Sequence, residues 1–248
     1  MTDPDPRPVE AHYEGLLASR YTWMMGGAAA CESSAKALLD AAGVTAKPGE
    51  VALDLGAGAG FHARALAERG FEVIAVDSSD ALMKELVAVC GGFGVKPIHS
   101  DLLNTASYCT HGPFALILCV GDTLTHLSTQ KEVGRLIESS AALLAPGGAL
   151  LLQYREQAQV LAPQDSSFVL RADRDRIMEC VLHYDSDLVW VTDIVHEWTG
   201  QMWRSMRSTY PKLRIPLEKV IAQAIAAGLA VQVNQTLSRQ RLLVLRPA

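Results

Sequence analysis

The 248-residue chain has little cysteine chemistry. Its five cysteines, at positions 31, 90, 109, 119 and 180, are odd in number and form no Cys-x-x-Cys pair. That pattern argues against a disulfide framework and against a structural zinc site, and no metal ligand set is expected. Cys119 and Cys180 fall in apolar strand patterns and read as small buried side chains. No cluster of Lys and Arg occurs, and 27 acidic against 22 basic side chains give a net charge of −5. A nucleic-acid groove or a surface for anionic membrane wants a basic patch, so neither partner is expected. No window of about 18 consecutive apolar residues exists, so no transmembrane helix is expected. Residues 1–10 are rich in proline and acid, lack the apolar core of a signal peptide, and read as a disordered tail. A reducing, cytoplasmic setting follows as the expectation. Composition leaves the oligomeric state open, a homo-oligomer included.

What the chain does have is apolar bulk, 49% of its residues, enough for one domain or one domain with an insertion. Its most informative stretch is Val51-Ala-Leu-Asp-Leu-Gly-Ala-Gly-Ala-Gly60. An apolar run carries Asp54, glycines follow at 56, 58 and 60, and Phe61 to Arg69 reads as a helix. Strand, glycine turn, helix is the layout of a nucleotide-binding crossover, because glycine lets the backbone turn sharply and approach a ligand. The next strand, Glu72–Val76, ends in Asp77, placed to hold a ribose diol.

Around this unit the grammar is α/β. His12–Ser19 and Ala28–Ala42 read as N-terminal helices. Strands at 51–55, 72–76, 95–99, 114–120 and 149–154 then alternate with helices at 60–69, 80–90 and 129–144, and Ala145-Pro-Gly-Gly148 reads as the turn into the fifth strand. This pattern predicts a parallel sheet covered on both faces. After Arg155 the pattern changes to four β-rich runs, 167–172, 176–184, 188–198 and 201–210, joined by polar turns. They predict an antiparallel insert over residues 165–212, either capping a substrate pocket or extending an edge. Trp190, Trp198 and Trp203 with Met202 and Met206 give it an apolar face, read as core packing. A helix at 216–227 and a hairpin at 230–245 close the chain. The expected organisation is a tail over 1–10 and one domain over 11–248, with a helical lid at 11–46.

The glycine turn suits a nicotinamide dinucleotide or S-adenosylmethionine. Asp54 before the first glycine, Ser78-Ser79 after Asp77, Ser100-Asp101 after the third strand and the final hairpin favour S-adenosylmethionine. A dinucleotide needs a second pyrophosphate surface, and none is visible. Each acid alone also reads as a cap or turn residue.

Leu53-Asp-Leu-Gly-Ala-Gly-Ala-Gly60, Gly70-Phe-Glu-Val-Ile-Ala-Val-Asp77, Leu118-Cys-Val-Gly-Asp-Thr-Leu-Thr-His126 and Pro146-Gly-Gly148 resemble the motifs of class I S-adenosylmethionine-dependent methyltransferases over roughly residues 15–247. Within that class, Gly121-Asp-Thr-Leu-Thr-His-Leu127, Tyr154-Arg155 and Ser208-Thr-Tyr-Pro211 are similar to the glycine N-methyltransferase group. The resemblance implies a Rossmann-like seven-stranded sheet with an antiparallel β insert after the fifth strand, and methyl transfer to a small-molecule amine or hydroxyl. It implies a cofactor site of Tyr21, Asp54, Gly56, Ala57, Gly58, Gly60, Asp77, Ser78, Asp101, Leu102, Val120, Gly121 and Asp122. It also implies that Arg155 binds an acceptor carboxylate. Two departures stand out. The group's asparagine is Asp122 here, and Ala28–Cys31 lacks the arginine that holds the cofactor's carboxylate. A non-catalytic binding protein of the same fold and a nicotinamide-dependent oxidoreductase are the rival classes.

The residues themselves support several roles. His126, just past the fourth strand, is a base candidate or a helix-start residue. Asp122 orients an amine or caps the cofactor loop. Arg155 holds a carboxylate or pairs with Glu156. Tyr210 lines the acceptor pocket or packs under the insert. No Asn-Pro-Pro-Tyr follows the fourth strand and no Pro-Cys pair occurs, so methylation of an adenine or glutamine amide nitrogen and pyrimidine C5 chemistry are disfavoured.

Overall fold

The computed structural model describes residues 9–157, 160–161 and 166–248. Residues 1–8 of the expected tail and residue 165 at the start of the expected insert lie outside the described residues. The main sheet runs β10-β11-β5-β4-β1-β2-β3. Its strands are β1 (Val51–Leu55), β2 (Glu72–Asp77), β3 (Val95–His99), β4 (Phe114–Cys119), β5 (Leu144–Tyr154), β10 (Leu229–Leu237) and β11 (Gln240–Pro247). β1 to β5 pair in parallel, while β11 runs antiparallel to both its neighbours. The order reverses between β1 and β4, where the strand ends diverge and open α/β sheets bind their ligands.

Strand periodicity explains the layering. Ala52, Val73, Ala75, Leu116 and Leu118 face a core shared with α3 (Ala28–Ala41), α4 (Phe61–Glu68) and α5 (Asp80–Val89). The alternate residues Leu53, Leu55, Ile74, Val76 and Ile117 face α6 (Gln130–Leu143) and α7 (Leu217–Ala226). In β1, β2 and β4 both faces are buried, so these strands read as near-continuous apolar runs, whereas the edge strand β3 is largely exposed. α6 starts at a capping box, the Thr129 hydroxyl accepting from the Glu132 N–H and the Glu132 carboxylate accepting from that of Thr129. Among the described residues no helix is long and apolar enough to cross a membrane.

The antiparallel sheet follows the fifth strand, in the order β6 (Ser167–Ala172), β7 (Arg176–Tyr184), β8 (Leu188–Trp198), β9 (Trp203–Leu213). Its inward face is Met178, Cys180, Val189, Val191, Val195 and Tyr210. The N-terminal helical segment lies on that face, with Leu16 and Leu17 against Met178 and Val195.

The sheet order and the insert agree with the sequence expectation; several boundaries do not. The N-terminal segment is one run of helical turns, from α1 (Val9–His12) through a π turn (Tyr13–Leu17) and a 3-10 turn (Ala18–Arg20) to α2 (Tyr21–Met24). The expected turn at 145–148 is absorbed into β5. Pairing jumps there from Phe114↔Leu144 to Leu116↔Ala149, so the extra residues form an irregularity within the strand. The expected apolar face is only partly a core face: Met206 packs against the Leu16, Leu17, Met178 and Val195 cluster and Trp190 is half-buried. Trp198 and Trp203 are 41% and 46% exposed. They flank the β8–β9 turn and pair with each other across it.

Candidate active site

The glycine turn is built from three different steric demands. Gly56, Gly58 and Gly60 all have positive φ, at 73°, 56° and 86°, a region costly for residues with a Cβ. A Cβ on Gly56 would meet Thr123 at 2.3 Å, and one on Gly60 would meet Leu86 at 2.8 Å and Cys90 at 2.9 Å. A Cβ on Gly58 would meet nothing within 4 Å. It would stand in open space, in the cleft itself. The turn is tied to the neighbouring strand, since Gly56 and Ala57 donate their N–H groups to the Val76 carbonyl.

Asp77 closes the other side. Its Oδ2 accepts from Gly58 N–H at 2.8 Å and its Oδ1 from Ser79 N–H at 2.9 Å. Burial raises its pKa, and the backbone N–H groups oppose that rise. Each oxygen keeps acceptor capacity beyond those bonds. At the tip of β3, Asp101 Oδ1 accepts from Leu103 N–H at 2.6 Å, and the Tyr108 hydroxyl donates to the Leu102 carbonyl. Ser78 and Leu102 line the same cleft, as do Val120 and Gly121 after β4 and Tyr21 from the N-terminal segment.

Asp54, expected among the cofactor residues, sits behind the turn, fully buried and outside the cleft lining. Burial, helped by the nearby Asp77 charge, raises its pKa to about 7. A Gly58 position that opens into the cleft fits a ligand that approaches the backbone, and the spare lone pairs of Asp77 fit a diol. The residues present therefore fit S-adenosylmethionine. Among the described residues no group of three His, Cys, Asp or Glu side chains is placed to hold a metal.

Asp122 does not line the cleft; it ties elements together. It takes a left-handed conformation, φ 73°, at the end of β4 and is buried. Its Oδ1 accepts from Arg155 N–H at 2.7 Å and from Gln240 Nε2 at 3.1 Å, and its Oδ2 accepts from Lys212 Nζ at 3.1 Å. Burial alone would raise its pKa. The Lys212 and Arg155 charges and these hydrogen bonds outweigh it and hold the carboxyl well below its usual range. The turn after it is fixed by Thr125, whose N–H and hydroxyl both donate to the Asp122 carbonyl. That turn delivers His126.

His126 lines the cleft and is braced by rings. Tyr13 lies edge-on at 5.5 Å between centroids and Tyr210 at 6.0 Å. Its Nε2 is buried without a partner. Burial, then the Lys212 ammonium, push its pKa down to about 3, so the imidazole is neutral. Tyr210 is buried and does not line the cleft; it stacks on His12 at 4.0 Å. His12 Nε2 in turn meets Asp193 Oδ2 at 3.1 Å. Arg155 is exposed and outside the cleft lining, contributing its backbone N–H to Asp122.

Sequence reasoning missed Tyr13, the His12–Asp193 pair and Lys212. The N-terminal segment bridges two bodies. Glu14 accepts from the Ser79 hydroxyl and Glu85 from Thr22 on the main sheet's side. Arg20 pairs with Glu197 at 2.7 and 2.9 Å, and Trp23 donates to Asp173, on the insert's side.

Residues 52–148 match the family profile described as "Methyltransferase domain". Curated relatives include a glycine/sarcosine N-methyltransferase of Halorhodospira halochloris, 31% identical over 116 residues, covering 44% of this chain and 41% of that protein. Another is the glycine N-methyltransferase of Mus musculus, 25% identical over 137 residues, covering 49% of this chain and 47% of that protein. The chain thus spans less than half the length of these two relatives. Similar solved folds include the CcbJ methyltransferase of Streptomyces caelestis, with TM-score 0.73 and 21% identity over 88% of this chain and 96% of that one. CalS10, an amino pentose methyltransferase of Micromonospora echinaspora, gives TM-score 0.72 and 18% identity over 90% and 93%.

Proposed function

We propose that this chain, which has the class I S-adenosylmethionine-dependent methyltransferase fold and carries the methyltransferase domain over residues 52–148, methylates an amine nitrogen of a small molecule. S-adenosylmethionine, when bound, would supply a sulfonium methyl group to which an unprotonated nitrogen can bond as the sulfur leaves as the neutral thioether of S-adenosylhomocysteine, with no strong base needed. Gly56, Gly58, Asp77 and Asp101 would hold it, with the buried Asp54 backing the turn from behind. Tyr13, Tyr21 and His126 form an aromatic wall of the cleft, which would shield the reacting methyl from water. The observation that carries the choice of nitrogen is His126. It is the side chain of the wall best placed to take a proton, yet among the described residues no carboxylate is hydrogen-bonded to it. At about 3 its pKa is too low for a general base near neutrality. A hydroxyl acceptor needs such a base; a neutral amine does not. The glycine/sarcosine N-methyltransferase relatives and the amino pentose methyltransferase fold support the same reading.

The test is transfer of an isotopically labelled methyl to a library of amines and alcohols, read by mass spectrometry. Labelled amines support the reading, and labelled ethers alone refute it. The pH profile gives a second expectation. His126 is already neutral above about pH 3, so kcat/KM should rise with pH as the acceptor amine loses its proton. No limb belonging to His126 should appear between pH 5 and 8. An acidic limb that vanishes in His126→Gln would assign it a base role instead.

The glycine turn makes a third expectation. Gly58→Ala should fold, losing about 1–2 kcal/mol to its left-handed φ, while its methyl enters the cleft and raises the cofactor Kd tenfold or more. Gly60→Ala meets Leu86 and Cys90 as well and should lose about 1–3 kcal/mol beyond that strain. Denaturant unfolding with and without S-adenosylhomocysteine separates the two. Equal ligand stabilisation of Gly58→Ala and the parent protein would count against the cradle.

A further inference from the structure

We infer that the acceptor is an amine that carries no carboxylate; this rests on the amine-methylation reading above. The reason is charge. The nitrogen must be unprotonated to react. An amino acid in that form carries a net charge of −1, whereas an amine lacking a carboxylate is neutral. Among the described residues that line the cleft, Glu10, Asp77 and Asp101 are acidic, and none is Lys or Arg. The two lining imidazoles add no positive charge: burial lowers His62 to about 4 and His126 to about 3.

Three cations near the cleft are turned elsewhere, and a fourth, Arg171, lies beside Gly26 but outside the lining. Lys212 is buried against Asp122 at 3.1 Å. Arg20 is held by both oxygens of Glu197. Arg155, at the position where the resemblance puts a carboxylate-binding arginine, is exposed and outside the lining. The departure at Asp122 is part of the cause. Where the similar group has a neutral asparagine, this chain has a carboxylate, and Lys212 neutralises that carboxylate rather than a substrate's. An acceptor carboxylate would therefore enter a cleft of like charge without a partner, an arrangement that opposes binding. The cofactor differs in net charge: its ammonium and sulfonium outweigh its own carboxylate, which likewise meets no Lys or Arg among the described lining residues, so as a whole it is a cation in an acidic cleft.

The experiment uses matched pairs in which only the carboxylate changes: glycine and glycinamide, sarcosine and its amide, 3-aminopropanoate and its amide, and an amino sugar with its uronate. Methyl transfer is measured with the full chain at a pH where both members of a pair are free bases. Binding to the S-adenosylhomocysteine complex is followed separately by ligand-observed NMR. The expected result is a kcat/KM at least tenfold higher for the carboxylate-free member, with the same order in binding. Preference for the carboxylate member, above all one that disappears in Arg155→Ala, would overturn the inference and leave amine methylation standing. Cofactor binding without methylation of any amine, while alcohols are methylated, would overturn the amine reading and the inference with it.

Discussion

Asp122→Ala should lower the stability of the protein by roughly 3–5 kcal/mol, the usual cost of breaking a buried ion pair from one side. The Lys212 side chain is only 13% exposed, so the variant would strand its ammonium. The Gln240 amide and the Arg155 N–H would lose their acceptor as well. The residue added would also sit at φ 73°, where alanine is strained. Asp122→Asn isolates the charge. Asparagine tolerates the left-handed conformation and keeps an oxygen for two of the donors, so it should lose clearly less. Urea unfolding measures both. Because Asp122 ties β4, β9, β11 and the end of β5 together, its loss should also weaken acceptor turnover through the displaced His126 turn. An alanine variant as stable as the parent would mean that these contacts contribute little.

The second large effect concerns the cofactor. Asp77→Ala removes the carboxylate that faces the cleft opposite the glycine turn. Loss of hydrogen bonds to a charged group costs roughly 1.5–3 kcal/mol, which is about 10- to 150-fold in Kd. The same carboxylate accepts from Gly58 and Ser79, so part of the loss would come from a looser turn. Asp77→Asn, which keeps one acceptor oxygen, should fall between the parent and the alanine variant.

What the chain reveals locally, and what it does not, follows from separation in sequence. The turn from Asp54 to Gly60 and the acid at Asp77 are legible because apolar run, glycine and acid lie within one crossover. The antiparallel insert is legible because four alternating runs are joined by short polar turns. The back of the site is not. His12 and Asp193 are 181 residues apart, Asp122 and Gln240 118 residues apart. No pattern within a window marks such pairs. Tyr13 was hidden because an aromatic residue on an amphipathic helix reads first as packing, and here it both packs and lines the cleft. Trp198 and Trp203 were misread for the opposite reason. Their apolar character suggested a core, but they sit at the β8–β9 hairpin tip, where both are exposed. Arg155 shows a limit of motif resemblance, since the position is present while the exposed side chain lies outside the cleft.

Calorimetric titration of the full chain with S-adenosylmethionine, S-adenosylhomocysteine, NAD and NADP tests the central claim most directly. One equivalent each of the first two should bind in the same cleft, both weakened about 10- to 150-fold by Asp77→Ala, with no heat from either dinucleotide. Saturable binding of NAD or NADP weakened by Asp77→Ala, with none of S-adenosylmethionine, would contradict the account.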